Sequence, residues 1–341
     1  MIKIKLCELE KHRNECAFRP YLWAQNTLRD IGIEFTQGDS YDYAWIAQAS
    51  FLNKKVTLQE SVDNGLEYLS KISGDYMLLD GQDSTSLLGS YEVFKQSKAL
   101  LLLKNSLLKD RSLYKQGLQL GRYYWGKGDY ELKDFDQYSE RIVLSGTNWL
   151  MTHWAGIKVQ WYDMPKKYYD VSAMFQYPQG VDVYEHGYLQ SVHYDNHRKP
   201  MIDILNTLKY NIAKLENGVC VSQEEYYKRI SSAKILLAPF GYGEMAPRDL
   251  DAAQFGAILI KPDMSFVDTV PNMFEDKKTY ISCKHDYSDL EEKIQDILEN
   301  YDNYLYLIDN ARKKFEDIMN PKHLALHLHK LFSNLNGVEY E

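Results

Sequence analysis

The sequence predicts an α/β protein made of two doubly wound, Rossmann-like domains facing a cleft. Three observations predict it. In the first half, short apolar runs alternate with helical stretches of about 10 to 15 residues, the pattern of parallel strands with crossover helices. In the second half, residues 232–260 read as strand, glycine loop, helix and strand. The length, 341 residues, sets a prior of about two domains.

Taken in order, Ile2 to Leu6 alternates like a first strand, and Arg19 to Ile31 reads as a helix stopped by Gly32. Tyr43 to Ala49 is a second strand, Leu58 to Ile72 a helix, and Tyr76 to Leu79 a third strand. Residues 87–95 read as helical, and Ala99 to Leu103 is a wholly apolar strand. Sheets of this kind place their sites at the carboxyl ends of the strands. Asp80-Gly81-Gln82-Asp83-Ser84 stands at one such end. Asp80 or Asp83 fits a general base, and an Asx turn with a capped helix fits the same residues. Lys104, just past the apolar strand, reads as a site cation or as a solvated strand end, and the second is preferred.

Residues 109–146 lose their periodicity and become rich in Gly, Tyr and charge, as a functional loop or a surface excursion does, and an acceptor-side loop is expected there. The expected domain boundary is near residue 160. Beyond it, Lys166 to Phe175 is a charged flank and a strand, followed by the loop from Pro178 to Gly187. Asn196 to Pro200 is expected to open a helix whose apolar face is Ile202, Ile204, Leu205, Leu208 and Ile212. That would put Arg198 and Lys199 at a helix start, as phosphate ligands or as solvated cations. His193 and His197 lie four apart, but the turn-like Tyr194-Asp195-Asn196 between them and the lack of a carboxylate motif argue against a metal. After Ile260, a strand at Thr279 to Ser282 precedes helices at Tyr287 to Asn300, Tyr301 to Met319 and Lys322 to Leu335.

Bulk properties narrow the partners. The net charge of −8, with no long basic block, argues against a groove that works by neutralising nucleic-acid phosphates. Four cysteines without a C-x-x-C spacing suggest neither zinc nor a disulfide framework. No run reaches the roughly 18 apolar residues of a membrane span. A cytoplasmic protein is expected, able to work at the inner membrane surface. The 28 tyrosines and six tryptophans suit sugar faces and domain cores alike.

The stretch from Ser232 to Ile260 is the most specific. Ile235 to Ala238 is a buried strand, Pro239 with Gly241 and Gly243 ends it, and Pro247 suits a first helical position. Arg248 and Asp251 then share a helical face, either as a surface ion pair or as a cation and a carboxylate aimed into one crevice. A nucleoside diphosphate would offer phosphates to Arg248 and ribose hydroxyls to Asp251. Gly-Tyr-Gly, Arg248, Ala252 and Gly256 resemble the donor-binding segment of exostosin-type and spore-maturation-type glycosyltransferases, with Asp251 where that family more often has Glu. The close resemblance covers residues 226–262.

The resemblance implies the GT-B fold and metal-independent transfer of a sugar from a nucleotide-sugar to a glycan or lipid-linked glycan, as in polysaccharide biosynthesis, with no cofactor. It implies an acceptor-side domain at 1–160, a nucleotide-sugar-binding domain at 161–320, and a terminal helix at 321–341 returning to the first. Donor ligands would be Arg198, Lys199, Gly241, Tyr242, Gly243, Glu244, Arg248 and Asp251; the candidate catalytic carboxylates, Asp80 and Asp83, come from their place at a strand end and not from the resemblance. A non-catalytic nucleotide- or glycan-binding protein and a nucleotide-sugar epimerase are the rival readings.

Overall fold

A computed structural model describes residues 1–8, 12–50, 57–162, 167–175, 190–215 and 221–335, with the side chains of residues 12–14 and 190–196 outside that description. The expected loop from Pro178 to Gly187 lies outside the described residues. The chain divides into two compact units: residues 1–157, 267–271 and 319–341, and residues 158–266 and 272–318.

Unit 1 is built on strands β1 (Ile2–Leu6), β2 (Ile33–Thr36), β3 (Tyr43–Ala47), β4 (Tyr76–Asp80), β5 (Leu102–Lys104) and β7 (Ile142–Leu144), with a short β6 (Leu107–Leu108) outside the main sheet. The six strands are all parallel, in the order β2-β1-β3-β4-β5-β7. Its helices are α1 (His12–Trp23), α2 (Gln25–Asp30), α3 (Leu58–Ser70), α4 (Ser90–Gln96) and α5 (Trp149–Trp154). Unit 2 holds β8 (Tyr169–Ala173), β9 (Ile212–Lys214), β10 (Ala233–Leu237), β11 (Ile258–Pro262) and β13 (Ile281–Cys283). They form a second all-parallel sheet, β13-β11-β10-β8-β9. Its helices are α6 (Gln190–Thr207), α7 (Gln223–Ser231), α8 (Pro247–Gln254), α9 (Leu290–Glu299) and α10 (Tyr306–Ile318). Strand β12 (Val267–Asp268) pairs with β6 in unit 1, and the final helix α11 (Pro321–Leu335) also belongs to unit 1.

The fold is α/β with two doubly wound units, and both sheets share one order. Numbered within its own sheet, each begins 2-1-3-4-5, so the winding reverses between the first and third strands. That reversal opens a crevice at the carboxyl ends of the two strands, where doubly wound proteins bind ligands. It falls between β1 and β3 in unit 1 and between β8 and β10 in unit 2.

The central strands are apolar runs because both faces are covered; every residue of β4 and of β11 is buried. Unit 1 closes its core with α11, whose Leu324, Leu328 and Phe332 join Trp45, Met77 and Leu103. The Phe332 ring stacks on Trp45 with centroids 6.3 Å apart. Helix α3 starts on a capping box, Thr57 and Glu60 bonding each other's backbone N–H, which fixes its first turn. No helix among the described residues is long and apolar enough to cross a membrane.

Several elements differ from expectation. The helix expected at 19–31 is two helices that meet at Ala24, and Pro20 lies inside the first. Strands β2 and β7 are absent from the sequence reading, because three or four residues carry too little periodicity to mark a strand. Helix α6 begins at Gln190 and runs through Pro200, so Arg198 lies in its interior rather than at its start. Ile212 belongs to β9, not to that helix.

Candidate functional site

The carboxyl ends of β8 and β10 bring together the residues of the 232–260 segment. Strand β10 ends at Leu237, and Ala238, Pro239 and Phe240 carry the chain into Gly241, whose N–H donates to the Gly243 carbonyl at 3.0 Å. That turn leads into α8, which starts with Pro247 at its first position, where the missing N–H would be unpaired anyway. The Asp249 carboxylate accepts from the Ala246 N–H at 2.8 Å and so fixes the start of the helix.

Asp249 is also half of a wholly buried ion pair, with Lys261 Nζ 3.0 Å from Oδ1. Burial pushes Asp249 up and Lys261 down from their ordinary pKa values, and their mutual attraction opposes both shifts. The Lys261 ammonium lies over the Phe240 ring at 5.1 Å. Glu244 is wholly buried too, and its charge favours the protonated form of Lys261.

Arg248 stands apart in this group. Its Nε and Nη1 are covered, yet they have no hydrogen-bond partner among the described residues. The guanidinium lies 5.8 Å from the centroid of Phe175, just beyond β8, and Arg198 lies 5.9 Å from the same ring. Buried donors are almost always paired in native proteins, and for a cation the natural missing partner is an anion. Three residues on, Asp251 is buried and accepts from the Tyr226 hydroxyl at 2.8 Å. Burial raises Asp251 to about 6, against the pull of the Tyr226 bond and the Arg248 charge. Burial and Asp251 together push Tyr226 well above its ordinary value, so it remains a donor.

The expected site residues therefore separate. Gly241, Tyr242, Gly243, Glu244, Arg248 and Asp251 share one loop and helix. Arg198 joins them from α6, but as a support: its Nε donates to the Phe240 carbonyl at 3.1 Å, next to Gly241. Lys199 is exposed and pairs with Asp203 one turn later on the same helix, which corrects its expected role as a phosphate ligand. A sugar contact from Glu244 would need an open carboxylate, and this one is covered.

In unit 1, Asp80 is corrected as well. It is wholly buried, with Lys104 Nζ 3.0 Å from Oδ1, the Ser90 hydroxyl donating to Oδ2 at 2.6 Å and the Gln82 N–H donating to Oδ1 at 3.1 Å. A carboxylate so occupied holds the sheet end together and is not an accessible base. Lys104 is correspondingly inside rather than solvated. Asp83 is half-buried in the loop after β4.

His197 shares a hydrogen bond with the Tyr287 hydroxyl at 2.9 Å, and burial lowers it to about 3, so it is neutral. The His193 side chain lies outside the described residues. Among the described residues no group of three or more His, Cys, Asp and Glu side chains could hold a metal ion. Sequence reasoning missed the Lys261–Asp249 pair; a lysine ending a strand of buried residues was its available signal.

No protein-family model matches the sequence, and no curated protein does. Among solved structures the chain is similar to a sucrose-phosphate synthase from Thermosynechococcus elongatus, with a TM-score of 0.48 and 12% identity over 96% of this chain and 80% of that one. It is also similar to a DNA-modifying β-glucosyltransferase, with a TM-score of 0.46 and 11% identity over 98% and 99% of the two chains. A glycosyltransferase from Rickettsia africae gives a TM-score of 0.40 and 11% identity over 98% of each chain.

Proposed function

We infer that the protein is a glycosyltransferase that moves a sugar from a nucleoside-diphosphate sugar to a hydroxyl acceptor. The observation that carries this reading is Arg248, whose two covered nitrogens have no partner among the described residues at the winding reversal of unit 2. A diphosphate would supply the missing acceptors, and the ribose hydroxyls would meet Asp251. The resemblance of residues 226–262 to donor-binding segments adds the sugar to the nucleotide.

In this reading the chain's own groups do the following. The Arg248 guanidinium bonds the diphosphate and stabilises the charge that grows on it as the bond from the sugar carbon to the phosphate oxygen breaks. The departing nucleotide keeps the electron pair of that bond, and the acceptor oxygen forms the new one. Arg198 holds the Phe240 carbonyl and with it the glycine turn. The acceptor's proton goes to a base, for which Asp83 is the remaining candidate once Asp80 is accounted for by Lys104. Arg248 takes the part that a metal plays elsewhere, so transfer is metal-independent.

Incubating the full chain with a panel of nucleotide-sugars tests this reading. Donor hydrolysis, or transfer to added glycan, supports it. Binding without turnover favours a non-catalytic binding protein, and isomerised donor favours an epimerase.

A further inference from the structure

Helix α7 meets α8 through two consecutive tyrosines. The Tyr226 hydroxyl donates to Asp251 Oδ2 at 2.8 Å, and the Tyr227 ring lies 4.9 Å from that of Phe255. Phe255 ends α8 one turn beyond Asp251, so both contacts fall on one side of that helix. Helix α7 is firmly begun as well. The Ser222 hydroxyl accepts from the Glu225 N–H at 3.2 Å, and Arg229 Nε lies 2.6 Å from Glu225 Oε1 one turn on.

The tyrosine bond is the one hydrogen bond that the Asp251 carboxylate receives from the described residues. Its second oxygen, Oδ1, is not closed off from solvent as Arg248 Nε and Nη1 are. An ionised carboxylate accepts at both oxygens, and the torsion that turns them is broad in aspartate. A bond at Oδ2 selects one orientation and so gives Oδ1 a fixed direction. The other charges around Asp251 act on it without bonding it. Arg248 favours its ionised form and Asp249 opposes it, while Asp249 itself is paired with Lys261 of β11. From α10, Arg312 donates to the Ala253 carbonyl.

We propose that Tyr226 is a positioning residue for the donor: by holding Asp251 Oδ2 it aims Oδ1 at the ribose, and so makes the site select ribonucleotides over nucleotides that lack the ribose hydroxyls. This rests on the transfer reading, in which Asp251 meets the ribose. A carboxylate oriented before the nucleotide arrives does not have to be ordered by it, which removes that cost from binding. The benefit goes to ligands whose hydroxyls donate to Oδ1; a dideoxyribose has none to offer. Burial raises Asp251 to about 6, and the Tyr226 bond works against that rise, so the same contact keeps the carboxylate ionised at neutral pH.

The test is calorimetric titration of the full chain with UDP, GDP and ADP and with their 2′,3′-dideoxy forms, from pH 5 to pH 8. Each pair carries the same phosphates, so the ratio of the two affinities is free of the phosphates' own titration. In the wild type the best-bound nucleotide should exceed its dideoxy form at least tenfold at pH 8, as for a hydrogen bond to a charged group. That preference should shrink as the pH falls through about 6, where Asp251 takes up its proton. Tyr226→Phe keeps the ring and removes only the hydroxyl. It should cut the preference at least threefold at pH 8 and move its midpoint to higher pH, with dideoxy affinity within twofold of wild type. Asp251→Ala should abolish the preference, and adding Tyr226→Phe to it should change nothing further, because Tyr226 acts through the carboxylate. A wild type that binds both forms alike overturns the proposal. So does a Tyr226→Phe variant that keeps the wild-type preference and midpoint, or that loses ribo and dideoxy affinity equally, for the bond is then a fastening between helices. Failure of the donor site itself looks different and removes both readings: no nucleotide of either kind binds the wild type.

Discussion

The carboxyl ends of the two sheets make an internal comparison. Both sheets wind in the same order, and both bury a lysine against an aspartate, Lys104 with Asp80 and Lys261 with Asp249. They differ in what those pairs leave over. In unit 1 the covered atoms without a described hydrogen bond include amide nitrogens of Gln48 and Asn105 and the Ser106 hydroxyl; in unit 2 two nitrogens of the Arg248 guanidinium are among them. The shared device makes a sheet end that can hold charge inside the protein. In unit 2 that residual group is a cation, and in the proposed reading it takes an anion.

The largest effect should come from breaking the shared device. Lys261→Met leaves the Asp249 charge buried and unpaired, which costs about 3–5 kcal/mol and should lower the melting temperature by roughly 10 °C. Lys104→Met should cost less, because Asp80 keeps donors from Ser90 and Gln82 whereas Asp249 keeps the Ala246 N–H. Thermal denaturation of the two variants side by side checks the order. Wild-type melting for either would contradict a buried pair that holds its sheet end.

A smaller effect is expected at Asp251. Its pKa, about 6 in the folded chain, lies above the ordinary value of an unfolded aspartate, so the folded state holds the proton more tightly. The ionised carboxylate therefore costs stability above about pH 6, and that cost disappears as the pH falls below the unfolded value of roughly 4. Asp251→Asn keeps an acceptor for Tyr226 and should melt higher than wild type at pH 8, with the gain fading by pH 4. Its affinity for nucleoside diphosphate should fall about threefold at pH 8, and the difference from wild type should shrink below pH 6. A pH-independent difference would remove Asp251 from the site.

The smallest effect belongs to Lys199. Lys199→Ala breaks only an exposed pair within one helix, so stability should change by less than about 0.5 kcal/mol and nucleotide affinity by less than twofold. A larger loss of affinity in calorimetric titration would return Lys199 to the donor site.

The sequence is most legible where local chemistry and tertiary role coincide. The segment from β10 to β11 can be read because buried parallel strands are continuous apolar runs, and because Pro247 and the Arg248–Asp251 spacing mark a helix and its face. The Lys261–Asp249 pair is hidden because it joins a strand to a helix, and polar residues at strand ends read as solvated. Lys104 misleads for the same reason. Helix α6 is displaced in the sequence reading because Pro200 suits a first turn, while here the helix runs through it. That Gln48 Nε2 and Asn105 Nδ2 have no hydrogen-bond partner among the described residues depends on which strands meet, and that is written in no local pattern.

The central claim is that Arg248 is an anion ligand rather than a surface cation, and calorimetric titration of UDP, GDP and ADP into wild type and Arg248→Ala tests it most directly. A guanidinium bonded to a phosphate oxyanion contributes about 1.5–3 kcal/mol. The variant should therefore bind the preferred nucleotide at least tenfold more weakly, with its melting temperature little changed because no described hydrogen bond is lost. Wild-type affinity for all three nucleotides in the variant, or unfolding of the variant, would contradict the claim.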